Sequence, residues 1–353
     1  MWRAGVRRRR CVSQDTSYPI GNTRSPEPRK RQREDGVSRG YHVSLILTLT
    51  INPAVDRTVS VDKLVFEDRA YILGRAEAAG GRGINASQVI HAFGGKTLAL
   101  LTSGGTAGKH MEQSLAGMGF PFEAVHVKSE SRINLTISDK QGLTVKLNEV
   151  GNPLEPQEIS AIRDLAEAVI GKASWLMICG SIQPGVPPHF YCELIELARS
   201  KGVKTLLDTD GEALLHALEA KPSIITPNQP EAERLLGRAL LTRAQFLEAV
   251  DRIHAMGPES VILSLGARGA IGASPEGTFE ALPPRIESLC PIGAGDALAA
   301  AFVWSKDKGK TFAESLRWAV AAGTATAALP GIHFPTLTQT RAIYRQVEVR
   351  PAR

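Results

Sequence analysis

The sequence predicts an α/β fold, built as a doubly wound and mostly parallel β-sheet with a small β flap that serves as a lid. Two observations support this prediction. Compact apolar runs typical of buried strands recur about every 20–35 residues, and stretches with helical periodicity lie between them. Two further strand-like runs, at 58–61 and 72–77, have no helix between them and indicate the flap. We see no internal repeat and no interdomain linker, so we expect one domain plus the flap.

Each element is predicted from a local signal. The first strand, at 43–51, is rich in residues with β propensity and closes at Asn52-Pro53, and the helix at 85–93 stops at Gly94-Gly95. The other strands are expected at 97–102, 132–138, 142–147, 175–179, 203–207, 223–226 and 260–265. The other helices are expected at 190–199, 211–218, 230–236, 244–256 and 297–304. The domain is then expected to span 41–346, with the flap at about 57–78 and a C-terminal tail at 347–353.

Composition argues against several classes of protein. The chain has 353 residues and four cysteines, with no CxxC pair, which argues against a disulfide framework or a structural zinc site and favours a cytoplasmic location. The longest uninterrupted apolar run, 297–304, is far shorter than the roughly 20 residues of a membrane-spanning helix. We therefore expect no membrane association.

The positive charge of the chain is concentrated in its first 40 residues. They carry eleven basic and four acidic side chains, a net charge of +7, so the rest of the chain carries −1 of the total of +6. The body is not expected to bind nucleic acid. Residues 1–40 have no apolar periodicity and are expected to form a disordered basic extension. That extension could be an organelle transit peptide, a nuclear or nucleic-acid-binding signal, or an inert segment produced by an upstream start codon.

The residues that follow the predicted strands are the candidates for function, because ligands of such a sheet bind beyond the carboxyl ends of its strands. One turn ends in Gly293-Ala294-Gly295-Asp296, just before a helical run. Glycines let the backbone approach a ligand, and the N–H groups of the following helix then form an anion hole. Asp296 is either a general base in front of that hole or an ordinary helix cap.

Six further motifs stand near the ends of other predicted elements. In chain order the seven motifs are NPAVD (52–56), GGRGIN (80–85), SRINLTI (131–137), GSIQPG (180–185), PNQPE (227–231), SLGARG (264–269) and GAGD (293–296). With this order the sequence resembles the PfkB carbohydrate kinase family, of the ribokinase-like fold, over nearly all of 44–335. The most similar subgroup contains the phosphofructokinases and tagatose-6-phosphate kinases, and the stretches 104–110 and 211–214 resemble the minor bacterial 6-phosphofructokinase.

The resemblance implies transfer of the γ-phosphoryl group of ATP to a primary hydroxyl of a ketohexose phosphate, with fructose 6-phosphate as the leading substrate and fructose 1,6-bisphosphate as the product. Fructose 1-phosphate and tagatose 6-phosphate remain alternative substrates. A sugar-phosphate sensor without turnover is an alternative of another class. The resemblance also implies ATP and Mg²⁺ as cofactors, leaves a K⁺ requirement open, and implies a homodimer that forms through the flap.

The resemblance also implies a role for individual residues. Asp296 would accept the proton of the hydroxyl, and the backbone of Gly293, Ala294 and Gly295 would hold the transferring group. Residues expected to bind the sugar phosphate are Asp56, Gly81, Arg82, Gly83, Asn85, Arg132, Asn134 and Lys146. Glu231 would organise Mg²⁺. Residues expected to bind the nucleotide are Asn228, Ser264, Gly266, Gly269, Ser288, Val320 and Thr324.

Several of these residues also have purely structural explanations. Asp56 could close the turn after Asn-Pro, and Arg132 could be a solvated side chain at a strand edge. Glu231 could simply open the helix at 230–236, where the helix dipole favours acids. Val320 and Thr324 could belong to ordinary helix packing.

The sequence departs from the family pattern at three positions. Arg82 stands where the 1-phosphofructokinase and tagatose-6-phosphate kinase groups commonly have Lys and the minor 6-phosphofructokinase group has Gly. Thr226 replaces the usual Lys before Pro-Asn, and Ala297 replaces the usual Ser after GAGD. Arg82 retains a cation, so binding of a sugar phosphate is still expected, but the preferred isomer is left open.

Overall fold

The structure is a computed structural model that describes residues 44–65 and 68–353. The predicted basic extension at 1–40 lies outside the described residues. None of the helices in the described part of the chain is both long and apolar enough to cross a membrane.

The described residues form one large and one small β-sheet. In the large sheet the strand order is β14-β13-β12-β11-β10-β9-β8-β1-β4-β5. The bounds of these strands are β1 (Leu45–Thr50), β4 (Lys96–Gly104), β5 (Phe122–Val127), β8 (Ala173–Cys179), β9 (Lys204–Asp208), β10 (Ile224–Ile225), β11 (Ser260–Ser264), β12 (Ala270–Ser274), β13 (Gly277–Leu282) and β14 (Glu348–Pro351). In this spatial order every neighbouring pair from β11 to β5 is parallel. Strands β12, β13 and β14 extend one edge of the sheet by antiparallel pairing. The predicted doubly wound, mostly parallel sheet is therefore confirmed.

Helices cover both faces of the large sheet, because the parallel strands are apolar on both sides. The helices are α1 (Arg82–Ala92), α2 (Gly105–Ala116), α3 (Pro156–Ile170), α4 (Phe190–Ser200), α5 (Gly211–Glu219), α6 (Gln229–Leu236), α7 (Arg243–Ala255), α8 (Ala294–Asp307), α9 (Phe312–Ala327) and α10 (Leu337–Tyr344). Leu47 of β1 belongs to a core formed with α3, α4, α5 and α7. The neighbouring Ile46 belongs to a second core, formed with α1, α8 and α9.

The small sheet is the flap, and it is larger than the sequence predicts. Its strand order is β3-β2-β6-β7, with β2 (Ala54–Val61), β3 (Ile72–Gly80), β6 (Arg132–Asp139) and β7 (Thr144–Asn148). The sequence pattern assigns only 58–61 and 72–77 to the flap. The strands predicted at 132–138 and 142–147 join it because β6 pairs in parallel with β2, a contact between segments about 80 residues apart.

The predicted boundary between the domain and a C-terminal tail, at residues 346 and 347, is wrong. Glu348–Pro351 forms β14, which pairs with β13, so the domain continues past residue 346 almost to the end of the chain. The buried carboxylate of Glu280 on β13 accepts hydrogen bonds from Arg243 on α7 and Arg350 on β14. This triad ties the last strand to the body of the domain.

Candidate active site

The candidate site lies at the carboxyl ends of β1, β8 and β9. The chain proceeds from β1 to β4 on one side and later returns to β8 on the other, so the direction of winding reverses at β1. Ligands of open α/β sheets bind at such a switch point. The N-termini of α1 and α8 and the base of the flap meet there.

Asp296 lies in the first turn of α8. The helix begins at Ala294 because Gly293, with φ 80°, turns the backbone into the left-handed region. A Cβ at position 293 would also lie 2.8 Å from the ring of Phe334, so only glycine fits there. Within residues 44–65 and 68–353 no side chain caps α8; instead Asn85 of α1 donates a hydrogen bond of 2.7 Å from Nδ2 to Oδ2 of Asp296. The alternative that Asp296 is a helix cap therefore fails.

The surroundings of Asp296 suit a general base. Burial raises its pKa to about 7, and the nearby carboxylate of Asp208 contributes to this rise. The hydrogen bond from Asn85 and the charge of Arg82 oppose the rise, while Asp56 adds to it. A carboxylate with a pKa near neutrality can take up and release a proton under physiological conditions.

The flap contributes a second acid. Asp56 is in β2, beside Asn134 of β6, whose Nδ2 donates to Oδ1 of Asp56 at 2.9 Å. Burial raises the pKa of Asp56, whereas Asn134, Arg132 and the exposed Lys146 of β7 lower it. The oxygen of the same amide, Oδ1 of Asn134, is buried and has no hydrogen-bond partner in the structure. Buried polar atoms without a partner are rare in folded proteins, and the hydroxyl group of a ligand would satisfy this oxygen.

Arg132 is half-buried at the start of β6. Its guanidinium donates from Nη1 to the carbonyl of Glu149 at 2.8 Å and from Nη2 to the carbonyl of Asn52 at 2.9 Å. Its Nε is buried and has no hydrogen-bond partner among the described residues. Arg132 is therefore held by backbone contacts rather than solvated at a strand edge, and it retains unused donors for an anion.

Glu231 occupies the first turn of α6 and is almost fully buried. Its Oε2 accepts the backbone N–H of Asn228 at 2.9 Å, while Oδ1 of Asn228 accepts the N–H of Glu231 at the same distance. This capping box is the structural role considered for Glu231. Its other oxygen, Oε1, accepts a hydrogen bond of 3.3 Å from Nη2 of Arg82, so the side chain also faces the cleft.

Arg82 contacts two acids for which the motifs gave no role. Its Nη1 donates to Oδ1 of Asp208 at 3.0 Å, and its Nη2 lies 3.7 Å from Oδ2 of Asp210. Both acids follow or end a strand at the carboxyl edge, so the rule that selected the other candidates could have found them. The neighbouring hydroxyls of Thr209 and Thr226 are buried without partners in the structure.

The remaining nucleotide-site candidates line a separate cavity of about 420 Å³. Six of the seven predicted residues border it: Ser264, Gly266, Gly269, Ser288, Val320 and Thr324. Ala294 and Gly295 of the α8 N-terminus also line it, and Asp296 follows them in the chain. The seventh, Asn228, does not line the cavity; it is exposed and pairs by a single β-bridge with Ser264. Gly81 and Gly83 flank Arg82 where α1 begins, and neither of them lines this cavity.

The chain matches the model of the pfkB family carbohydrate kinases over residues 52–339. It is 30% identical to the ATP-dependent 6-phosphofructokinase isozyme 2 of Escherichia coli (strain K12) over 304 residues, which cover 85% of this chain and 97% of that enzyme. It is also 30% identical to the 1-phosphofructokinase of Borreliella burgdorferi, over 80% of this chain and 92% of that enzyme.

Solved structures agree with these relatives. Phosphofructokinase-2 from Escherichia coli in complex with substrates and products superposes with a TM-score of 0.81 at 29% identity, covering 85% of this chain and 98% of that one. The same enzyme in complex with potassium and in a tetrameric inhibited form gives TM-scores of 0.80 and 0.79. The ribokinase-like fold is confirmed, and the chain belongs to the pfkB family of carbohydrate kinases.

Proposed function

We propose that this protein is an ATP-dependent phosphofructokinase that converts fructose 6-phosphate into fructose 1,6-bisphosphate. The observation that carries this proposal is the position of Asp296. It follows Ala294 and Gly295, which line the nucleotide cavity, and it lies near enough to Asp56, Arg82 and Asp208 for their charges to shift its pKa. A base between a nucleotide site and an acceptor site is what phosphoryl transfer to a hydroxyl requires.

In the proposed reaction, Asp296 accepts the proton of the attacking hydroxyl. The N–H of Ala294 donates to the carbonyl of Pro291, whereas those of Gly293 and Gly295 have no partner among the described residues and would stabilise charge on the transferring phosphoryl group. Each such donor is typically worth about 3–4 kcal/mol in a transition state. Asn85 would keep the carboxylate of Asp296 oriented through its 2.7 Å hydrogen bond.

The flap would bind the sugar phosphate. Asp56 and Asn134 offer a carboxylate and a free amide oxygen to sugar hydroxyls, and Arg132 offers unused N–H groups to the phosphate that the substrate already carries. Lys146, exposed on β7 on the same face as Asp56, would add positive charge.

Magnesium would be held mainly by nucleotide phosphates and water. Within residues 44–65 and 68–353, no group of three or more His, Cys, Asp or Glu side chains is arranged to hold a metal ion. Both oxygens of Glu231 already accept hydrogen bonds. Glu231 is nevertheless a hard, buried oxygen donor, which suits a hydrated Mg²⁺ that keeps several waters. When bound, the ion would neutralise phosphate charge.

We also propose that the protein forms a homodimer through the flap. Tyr71, Ile72 and Leu73 on or beside β3 and Leu147 on β7 are more than half exposed, which is unusual for such large apolar side chains on a monomer's surface. Sedimentation velocity should give a dimer for the native chain and a monomer for Ile72→Asp. A native monomer would contradict this assembly.

The K⁺ requirement stays a prediction, supported by the potassium complex of the Escherichia coli enzyme.

The substrate isomer can be tested by a coupled ADP-release assay with Mg-ATP. The acceptors are fructose 6-phosphate, fructose 1-phosphate, tagatose 6-phosphate, and unphosphorylated fructose and ribose. We expect the highest kcat/KM for fructose 6-phosphate. A preference for fructose 1-phosphate would favour the activity named for the Borreliella relative. A preference for an unphosphorylated sugar would overturn the acceptor site, and no turnover at all would favour a sugar-phosphate sensor.

Gly80→Ala should weaken acceptor binding selectively. A Cβ at position 80 would lie 2.1 Å from Oδ2 of Asp56, so the carboxylate must move. Such overpacking typically costs about 1–3 kcal/mol, and we expect KM for the sugar phosphate to rise about tenfold with KM for ATP unchanged. Gly171→Ala is the matched control, since a Cβ at position 171 would meet no atom within 4 Å. Steady-state kinetics that show equal changes in both variants would reject this packing role.

The pH profile should report the ionisation of Asp296. A base acts in its unprotonated form, so its raised pKa of about 7 places the loss of activity near neutrality. We expect kcat/KM to be level above this pKa and to fall about tenfold per pH unit below it. Rates measured from roughly pH 5.5 to 9 would test this expectation. A midpoint near the usual aspartate pKa of about 3.9 would contradict it.

A further inference from the structure

Arg82 is the central cation of the acid cluster. Its side chain is about one-third exposed to solvent, whereas the side chains of Asp208 and Glu231 that face it are nearly buried. These two acids and the more exposed Asp210 approach a single guanidinium. Arg82 lies one helical turn before Asn85, the α1 residue that donates a hydrogen bond to Asp296, and the charge of Asp296 raises the pKa of Arg82.

Asp208 makes the best-defined contact with Arg82. Its distance of 3.0 Å is shorter than the 3.3 Å from Glu231 and the 3.7 Å from Asp210. It also stands on a rigid element, because it ends β9 and pairs with Cys179 of β8, and its carbonyl accepts the N–H of Gly180. Glu231, by contrast, shares its carboxylate with the capping box of α6.

We infer that Asp208 is a positioning residue that acts through Arg82, holding its guanidinium where it stabilises the transferring phosphoryl group. An unrestrained arginine side chain has several rotamers, and a buried partner at the end of a strand selects one of them. Two of the five N–H groups of Arg82 are used by Asp208 and Glu231, so others are available to phosphate oxygens. This inference rests on the proposed kinase function and assigns Arg82 to the transferring group rather than to the phosphate of the sugar.

A double-mutant cycle distinguishes positioning from an independent role. Arg82→Ala should lower kcat about 100-fold, as expected for one lost transition-state donor. Asp208→Asn, an isosteric change, should lower kcat about tenfold with little change in either KM. If Asp208 acts only through Arg82, the double variant should be no slower than Arg82→Ala alone. Multiplied losses, about 1000-fold, would overturn the inference and favour a separate role for Asp208, such as direct metal binding.

The pH profile supplies a readout that a merely structural residue would not move. Asn85, Asp208, Arg82 and Asp56 are the groups that act on Asp296. Removing the charge of Asp208 should shift the acid limb of kcat/KM to lower pH, and Arg82→Ala should shift it to higher pH. Shifts of the acid limb in the same direction for both variants, or no shift, would contradict the inference that Asp208 acts through Arg82.

Asp210→Asn is the matched control for the removal of an acid from this cluster. Its carboxylate is farther from Arg82 and about a third exposed, so we expect a change in kcat of less than about threefold. An equal effect of Asp210→Asn and Asp208→Asn would overturn the specific role of Asp208.

Thermal melts should show that each variant is folded at the assay temperature, with Arg82→Lys as a second variant that keeps the charge. No turnover by the native chain would overturn the proposed function together with this inference, whereas native turnover with multiplied losses overturns the inference alone.

Discussion

Asp296→Asn is expected to lower kcat about 10²–10⁴-fold and to leave ATP binding nearly intact. The amide has the size of the carboxylate but cannot accept the proton of the attacking hydroxyl. The nucleotide cavity is bordered by Ala294 and Gly295 but not by Asp296, so its lining is unchanged. Single-turnover kinetics and nucleotide titration would measure the two effects separately.

Asp307→Asn provides the control for this prediction. Asp307 ends the same helix, α8, and its carboxylate accepts hydrogen bonds from Ser44 and Ser174, at the opposite end of the strands from the site. We expect kcat within about twofold of the native value, because the substitution does not reach the reacting atoms. Near-normal turnover by Asp296→Asn would reject its assignment as the base.

Arg132→Ala is expected to raise KM for the sugar phosphate about 10–100-fold and to change KM for ATP much less. Charge-assisted hydrogen bonds are worth about 1.5–3 kcal/mol each, and the substitution removes every donor of the guanidinium. It also leaves the carbonyls of Asn52 and Glu149 without their side-chain partner. Initial rates with each substrate varied in turn would separate the two KM values.

Arg163→Ala is the comparison for loss of a surface arginine. Arg163 is on α3, more than half exposed, and its nearest acid is Glu193 at 3.7 Å, a contact that contributes little to stability. Its kinetics should match those of the native chain. If Arg132→Ala raises both KM values equally, Arg132 does not bind the phosphate of the acceptor.

The fold class was predictable because its signals are local. The apolar runs that became β1, β8, β9 and β11 lie between turns, and the turns that follow β1, β8 and β11 carry motifs. The antiparallel edge was not predicted, since β12 is the short segment Ala270–Ser274, which is rich in small residues and has no strong strand pattern. The bounds of helix α9 were also not predicted, although Thr311 and Glu314 form a capping box, because its small residues hide the periodicity of its buried face.

It was easier to predict which residues belong to the candidate site than which of them contact each other. The motifs placed Asp296, Asn85 and Glu231 at the same edge of the sheet, and the structure brings Asn85 and Asp296 into contact although they are 211 residues apart. The partners of Arg82 were not predictable. Asp208 and Glu231 lie 126 and 149 residues further along the chain, and no local pattern specifies which acid a flexible arginine will reach.

The amino-acid sequence alone was enough to predict the alternation of strands and helices, the glycine-rich turns at the helix N-termini, and the family to which the chain belongs. These follow from short-range preferences, which neighbouring residues alone specify. Three features became apparent only in the folded protein: the raised pKa of Asp296, the four-stranded flap and the acids around Arg82. Each of these depends on burial and on distances between segments remote in sequence, because solvation and Coulomb energies are set by what surrounds a group after folding.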